Sequence, residues 1–319
     1  MPLHVAVLGA SGFGRHHAKW YADLGCEVVA FLGSSPRRAE ATAAILRQAF
    51  GFQGRGYTSL PDLLAAERPD AVSVCTPPPL HGEHVRAALE AGCSALCEKP
   101  FVWRPGVPSA ELVAEARSLV EEAGRRGLIL AVNTQYAAAA EEYRRLAPEA
   151  VAAPQSFFGE MASKLRPGST RGIEIALDLM PHPISILLGL FPDAELEPGS
   201  VRTTVHYEDT VSEFRVAAAG RTWPVSLRAA QRPEPPFPRR FGFNGQVADV
   251  GTRPDAQGVY RGYLALDGRE RVCEDFMRVS IERFCRAVRG EGAPLAPGRL
   301  AARNLELLLA TLERASPSS

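Results

Sequence analysis

Apolar residues fall in short unbroken runs through the first part of the chain. They are HVAVL at 4–8, VVAFL at 28–32, AVSVC at 71–75, SALCE at 94–98 and LILAV at 128–132. Polar alternation, the mark of a strand with one wet face, is missing from them. The intervening segments are helical in character. RHHAKWYADLG follows residue 14 and closes near Gly25. An alanine-rich stretch at 36–50 opens on Pro36, a favourable first-turn residue. A short helix follows Leu60, HGEHVRAALEAG is stopped by Gly92, and 108–126 supplies another. Strands apolar on both faces, alternating with helices, predict a parallel sheet covered on both sides.

The pattern changes after about residue 130. SFFGEMAS, VRTTVHYE, VSEFRVAAAG, TWPVSLRAA and VYRGYLAL follow in near succession, and polar and apolar residues alternate along them. That is the period of a sheet with one face wetter than the other. One helix, 173–189, interrupts these strands, and two more, 275–289 and 299–314, close the chain. QRPEPPFPRR at 231–240 is too proline-rich for a strand interior and reads as an exposed loop. The expected division is 1–124 for the first domain and 125–319 for the second.

Composition narrows the classes. Formal net charge is zero, which gives no reason to expect a nucleic-acid partner. The pairs Arg125-Arg126 and Arg239-Arg240 lack interleaved aromatics and read as solvated surface. No run is long and apolar enough to span a bilayer, and no basic leader precedes the first apolar stretch, so a cytoplasmic chain is expected. Six cysteines are sparse for this length and show no metal-ligand spacing; Cys93 and Cys97 resemble half a zinc site only weakly. Buried free thiols in a reducing compartment, and no metal, are the expectation.

The first candidate chemistry is GASGFG at 9–14, between a strand and a helix. Small residues there let the backbone turn tightly towards a pyrophosphate, and the helix offers it free N–H groups. Gly9 and Gly14 take the first and third glycine positions. Ser11 takes the second, with Gly12 as an additional glycine and Phe13 after it. At the end of the second strand the chain reads FLGSSPRR, with no acid from 31 to 38. An NAD site usually places a carboxylate there for the ribose hydroxyls. Ser34, Ser35, Arg37 and Arg38 instead suit a phosphate, which favours NADP over NAD. The bland alternative is that both arginines wet the start of a surface helix.

Lysine is scarce: Lys19, Lys99 and Lys164 are the three in the chain. One falls in CEKP at 97–100, directly after an apolar strand, where Pro100 restricts the backbone of Lys99. Asp178 and His182 are spaced i, i+4 and would share one face of an unbroken helix. Pro181 between them leaves open whether they do, or whether the pair sits where a helix begins. In either arrangement the carboxylate can orient the imidazole or raise its pKa.

Four segments, GASGFGRHHA (9–18), CTPPPLHGEHVRAALEAGCSALCEKP (75–100), NTQY (133–136) and GIEIALDLMPH (172–182), together resemble the Gfo/Idh/MocA family. This is the glucose-fructose oxidoreductase / inositol 2-dehydrogenase / rhizopine-catabolism group. The resemblance implies an α/β chain: an N-terminal Rossmann domain, then an α/β domain built on a large, open, mostly antiparallel sheet. It implies hydride transfer between NAD(P) and a hydroxyl or carbonyl carbon of a sugar, cyclitol or related small molecule. It further implies that Thr76 and Pro77 flank the nicotinamide with His81 nearby, that Glu98 contacts the cofactor, and that Lys99 lies beside the reacting carbon. Asp178 and His182 would complete the active site, and His17 would serve local packing and hydrogen bonding. The chain departs from the family pattern at Ser11, at Met180 between Asp178 and His182, and at Ser185, where many members carry a second acid. NTQYAA also lacks the arginine that often follows this tyrosine.

A hydroxyl that gives up hydride must also lose a proton, so a positioned base is needed. His182 is the preferred base, with Lys99 stabilising the developing alkoxide and Asp178 tuning the imidazole. Lys99 as the acid/base is the competing assignment. Gln135, Tyr136, Glu160, Lys164 and Arg166 are polar candidates for substrate recognition at or after strand ends. A non-catalytic NAD(P)-binding sensor or transcription regulator of the same fold is the alternative function. The resemblance also implies a homodimer or homotetramer formed through the second sheet, whose open face would be partly apolar.

Overall fold

The computed structural model of this chain describes residues 2–165, 168, 171–313 and 315–317. The chain divides into two units, 1–133 with 277–302, and 134–276 with 303–319. The first unit therefore extends past the expected boundary at 124 and recruits a segment from far down the chain. Its continuous part runs β1 (His4–Leu8), α1 (Gly14–Asp23), β2 (Glu27–Leu32), α2 (Pro36–Phe50), β3 (Arg55–Tyr57), α3 (Leu60–Glu67) and β4 (Ala71–Val74). It continues with α4 (His81–Glu90), β5 (Ser94–Glu98), α5 (Ser109–Arg125) and β6 (Leu130–Asn133).

The six strands are all parallel, in the order β3-β2-β1-β4-β5-β6. The order reverses between β1 and β4, and ligands of such sheets bind at that switch, beyond the carboxyl ends of the strands. The unbroken apolar runs have their cause here: β4 and β5 are buried at every position. Residues 277–302 return to this unit. Met277, Ile281, Phe284 and Cys285 pack into the same core as Val5, Val7 and Phe31, and Val132 N donates to Ala296 O at 3.0 Å.

The second unit begins with a 3₁₀ turn, Gln135–Ala138, then α6 (Ala139–Leu146), α7 (Pro148–Ala152) and β7 (Phe157–Lys164). Next come α8 (Ile173–Leu179), α9 (Pro181–Leu190), β8 (Glu195–Leu196), β9 (Arg202–Val205), β10 (Asp209–Ala218), β11 (Arg221–Arg232) and β12 (Arg239–Phe243). They are followed by β13 (Gln246–Pro254), β14 (Tyr260–Leu266), β15 (Arg269–Glu274), α10 (Phe276–Val288), α11 (Gly298–Leu312) and β16 (Ala315–Pro317). Of α10 only Phe276 belongs to this unit, and of α11 the part from Arg303.

The strand order is β15-β14-β13-β12-β7-β11-β10-β9-β16, with β8 against β10. β7 with β11 and β16 with β9 are parallel; the other pairs are antiparallel. Alternation sets the two faces. Phe214 and Val216 of β10 and Trp223, Val225 and Leu227 of β11 are buried, while Glu213, Arg215 and Pro224 between them are exposed. The open face mixes charged side chains with apolar ones such as Pro224.

The proline-rich run is strand at both ends, since Gln231 and Arg232 finish β11 and Arg239 and Arg240 start β12. The single helix expected at 173–189 is two helices, bent by 44° at Met180. Among the described residues no single helix is long and apolar enough to cross a membrane; this bent pair passes by composition and is largely buried in the unit.

Candidate active site

In the first unit the chain leaves β1 through Gly9, at φ +91°. A Cβ there would stand 2.6 Å from Cys75 O, and one at Gly14 would stand 2.6 Å from Gly9 O. The turn lies so close over the end of β4 that both positions admit only glycine. Ser11, Gly12 and Phe13 are exposed at its apex, and a Cβ on Gly12 would meet nothing within 4 Å. Ser11, at the middle position, directs its side chain to the exposed side of the turn. The first N–H groups of α1 follow directly, a setting that favours an anionic group.

Gly9 N donates to Leu32 O at 3.0 Å, which brings the end of β2 beside the turn. A Cβ on Gly33 would lie 3.0 Å from Ala39 Cβ, so glycine lets the strand end approach α2. Ser35 caps α2, its Oγ accepting from Arg38 N at 3.4 Å, and Arg38 Nη1 donates to Ser34 Oγ at 3.5 Å. Ser34, Arg37 and Arg38 are exposed. Polar hydroxyls and two guanidinium groups thus occupy the place where a carboxylate would select for ribose hydroxyls.

β4 pairs with β5 up to Val74 and Cys97, so Thr76 and Lys99 emerge from adjacent strand ends. Thr76 and Lys99 are half-buried, and Pro77 is exposed. His81 braces the two segments. Its Nδ1 is 2.8 Å from Pro100 O and its Nε2 2.8 Å from Thr76 O. Burial holds the imidazole below its ordinary pKa, against the pull of these carbonyls. Lying between these two carbonyls, and able as a neutral ring to donate to one of them, His81 supports the loop around Thr76 and Pro77. His84 adds a second tie, Nδ1 to Thr76 Oγ1 at 3.0 Å.

Glu98 points inward. It is 8% exposed, and its Oε1 lies 2.9 Å from His17 Nε2 and accepts from Asn133 Nδ2 at 2.6 Å. His17 Nδ1 meets Ser73 Oγ at 2.8 Å. Burial alone would depress the imidazole, but the charge and hydrogen bond of Cys75, with those of Glu98, raise His17 to about 10. Burial alone would raise the Glu98 carboxyl; His17, Lys99 and Asn133 overcome it and hold the group below its usual range. The hydrogen-bonded chain is Ser73–His17–Glu98–Asn133. Glu98, expected at the cofactor, uses Oε1 within the domain.

In the second unit Asp178 is the penultimate residue of α8 and His182 lies in the first turn of α9, across the bend. Pro181 at the first position of α9 is the cause: it interrupts the helix before it and is at ease at a helix start. Asp178 is half-buried and His182 is 9% exposed. Tyr136 stacks edge-on against His182, ring centres 5.0 Å apart, and burial pushes its phenol upward, with Arg239 opposing. Asn304 Nδ2 donates to Pro181 O at 2.8 Å and to Ser185 Oγ at 2.7 Å. Ser185 thus anchors the helix that carries His182.

The remaining substrate candidates separate. Gln135 is half-buried beside Tyr136, and Lys164 is exposed at the end of β7. Glu160 sits mid-strand, 2% exposed, and pairs with Arg240 Nε at 2.7 Å and Arg232 Nη2 at 3.5 Å. Arg166 lies outside the described residues. The sequence pattern does not single out Ser73, Asn133, His84 or Asn304.

The fold and the glycine turn define a Rossmann-type dinucleotide-binding domain followed by an open-sheet α/β domain. Residues 3–134 match the family model described as oxidoreductase family, NAD-binding Rossmann fold. D-glucoside 3-dehydrogenase of Escherichia coli is 36% identical over 138 residues, 41% of this chain and 34% of that protein. UDP-N-acetylglucosamine 3-dehydrogenase of Acidithiobacillus ferrooxidans is 31% identical over 201 residues, 63% of this chain and 57% of that protein. The matched part thus spans about a third to somewhat over half of these curated relatives. A solved structure of the A. ferrooxidans enzyme superposes with a TM-score of 0.77 at 25% identity, covering 99% of this chain and 98% of that one. Over residues 3–134 the chain is thus similar to the Gfo/Idh/MocA oxidoreductase family, and over its whole length it shares the fold of the A. ferrooxidans enzyme.

Proposed function

We propose that this protein is an NAD(P)-dependent dehydrogenase or reductase that moves a hydride to or from a carbinol carbon of a sugar, cyclitol or related small molecule. The observation that carries the reading is the glycine turn at the switch point, where Gly9 and Gly14 admit no Cβ and α1 begins. Relatives named for oxidation at the 3-position of a glucoside and of a UDP-linked amino sugar support a secondary ring carbinol as the reacting group.

When bound, the nicotinamide supplies the hydride chemistry; the protein places and polarises the substrate. His182 takes the hydroxyl proton in oxidation and returns it in reduction. Asp178 orients and tunes that imidazole, and Asn304 holds the helix that carries it. The Lys99 ammonium donates a hydrogen bond to the oxygen as negative charge develops there. Thr76 and Pro77 line the nicotinamide side, and Gln135 and Tyr136 contribute to substrate recognition. Ser34, Ser35, Arg37 and Arg38 hold the 2′-phosphate of NADP, supported by the missing carboxylate at the end of β2 and by the exposed guanidinium groups beside Ser34. The open face of the second sheet, with Phe158 and Pro224 among charged side chains, associates two or four copies.

The test is an NADP- and NAD-linked turnover screen over sugars, cyclitols and keto-sugars, with cofactor binding measured in parallel. Turnover with at least one of these classes is expected. Tight cofactor binding without turnover of any of them would identify a sensor instead.

A further inference from the structure

The first unit holds two cysteines that the proposed reaction does not use. Cys26 stands between α1 and β2, and Cys285 lies on α10. They are 259 residues apart in sequence, yet their Sγ atoms are 3.6 Å apart. Both are free, and they are 7% and 2% exposed within one apolar core. That separation is a thiol hydrogen bond, short enough that a modest side-chain rotation reaches bonding distance, about 2.05 Å.

We propose that Cys26 and Cys285 are a dithiol oxidation site that a hydroperoxide converts to an intramolecular disulfide, with Cys26 as the thiol oxidised first. Three further observations support the order. Cys26 lies in the wall of a cleft of about 680 Å³, with Ala22, Val28, Phe50, Phe52 and Gln53, which gives a small uncharged oxidant an approach to this residue. The hydrogen bond from Cys285 lowers the Cys26 thiol below its ordinary range; burial opposes this, and the Arg289 guanidinium adds to it. Cys285 is pushed the other way, by its bond to Cys26, by burial and by the charges of Cys26 and Glu282, so it keeps its proton. Cys93, Cys97 and Cys273 are pushed upward by burial and are poor nucleophiles.

The chemistry balances in two steps. The Cys26 thiolate attacks one peroxide oxygen, the O–O bond breaks, and hydroxide leaves and is protonated to water. The sulfur of Cys285 then attacks the Cys26 sulfenic sulfur. An S–S bond forms, the S–O bond breaks, and the hydroxyl leaves as water with the Cys285 proton. Two thiols lose two electrons, and one peroxide becomes two waters. The product ties α10 to the start of β2.

The test exposes the full chain to hydrogen peroxide, alkylates it under denaturing conditions and maps its peptides. The reduced chain has six thiols; four are expected after oxidation, with a peptide joining Cys26 to Cys285 that a dithiol reductant separates. Cys285→Ala should leave Cys26 as a sulfenic acid that dimedone traps. Cys26→Ala and Cys26→Ser should retain all of their five thiols at the same dose. Recovery of both peptides as alkylated thiols, while Cys75 or Cys273 is modified first, would overturn the proposal. So would trapping of a sulfenic acid at Cys285 in Cys26→Ala.

Discussion

His17 Nε2 stands 2.9 Å from Glu98 Oε1, and both groups are enclosed by the first unit. Together with Cys75, which does more to raise the imidazole, this contact links stability to pH in a definite direction. His17 binds its proton more tightly in the folded chain, up to about 10 from an ordinary 6.5. Between these values the folded state holds a proton that the unfolded state has released, so stability falls as pH rises. The contribution is whole below the unfolded value and gone above the folded one. Glu98 acts in the opposite sense: its depressed carboxyl adds stability above its unfolded value, which is lost as pH falls. His17→Gln is expected to flatten the fall in melting temperature between about pH 6.5 and about pH 10. An alkaline limb as steep as that of the parent chain would show that His17 is not the group responsible.

Lys99→Ala and His182→Ala should each lower turnover by roughly 10²–10⁴, the range for a group in proton transfer or its stabilisation. Cofactor affinity should change little in His182→Ala. Steady-state kinetics with the substrate found in the screen, together with cofactor titration, separates the two effects. Near-parental turnover in both variants would remove these residues from the mechanism.

Arg37→Ala and Arg38→Ala should weaken NADP much more than NAD, each by about 1.5–3 kcal/mol if it bonds the phosphate directly. The ratio of the two dissociation constants is the quantity to measure. A parental protein that prefers NAD, with an unchanged ratio in both variants, would contradict the assignment.

Asn304→Ala removes two donors that hold Pro181 O and Ser185 Oγ. Leaving these acceptors buried and unmet should cost about 1–3 kcal/mol in unfolding free energy. Because α9 carries His182, kcat should fall further than the substrate KM rises. Asn304→Asp, which keeps the volume but cannot donate when ionised, should behave similarly. Loss of stability with kcat intact would reduce Asn304 to a purely structural residue.

How much of this was readable in sequence depended on how local the cause was. β1, β2, β4, β5 and β6 are apolar on both faces, so each strand carries its own signal. Gly9 and Gly14 are likewise dictated by a local turn, even though the atom that excludes a side chain at Gly9 belongs to Cys75. β12 and β13 were harder, because Gly242 and Gly251 break their alternation, although Asn244-Gly245 between them is a strong hairpin signal. Both turn residues indeed take positive φ, 55° and 79°. The inward turn of Glu98 was not legible, since its partners lie 81 and 35 residues away. Nor was Asn304, which reaches Pro181 from 123 residues further on. The motif spacing from Asp178 to His182 was visible, and Pro181 pointed to a break between them; the 44° of the bend at Met180 came from the structure.

The return of residues 277–302 to the first unit also has a consequence in time. When a ribosome reaches Phe276, all six strands of the parallel sheet have been made, but Met277, Ile281, Phe284 and Cys285 have not. The core around Val5, Val7 and Phe31 must then wait, with apolar surface uncovered, while more than a hundred residues of another unit are synthesised. Domains that emerge first usually fold first. Here the half of the protein that is begun earliest is among the last to be completed, and a nascent chain stalled before α10 is the form most in need of a chaperone.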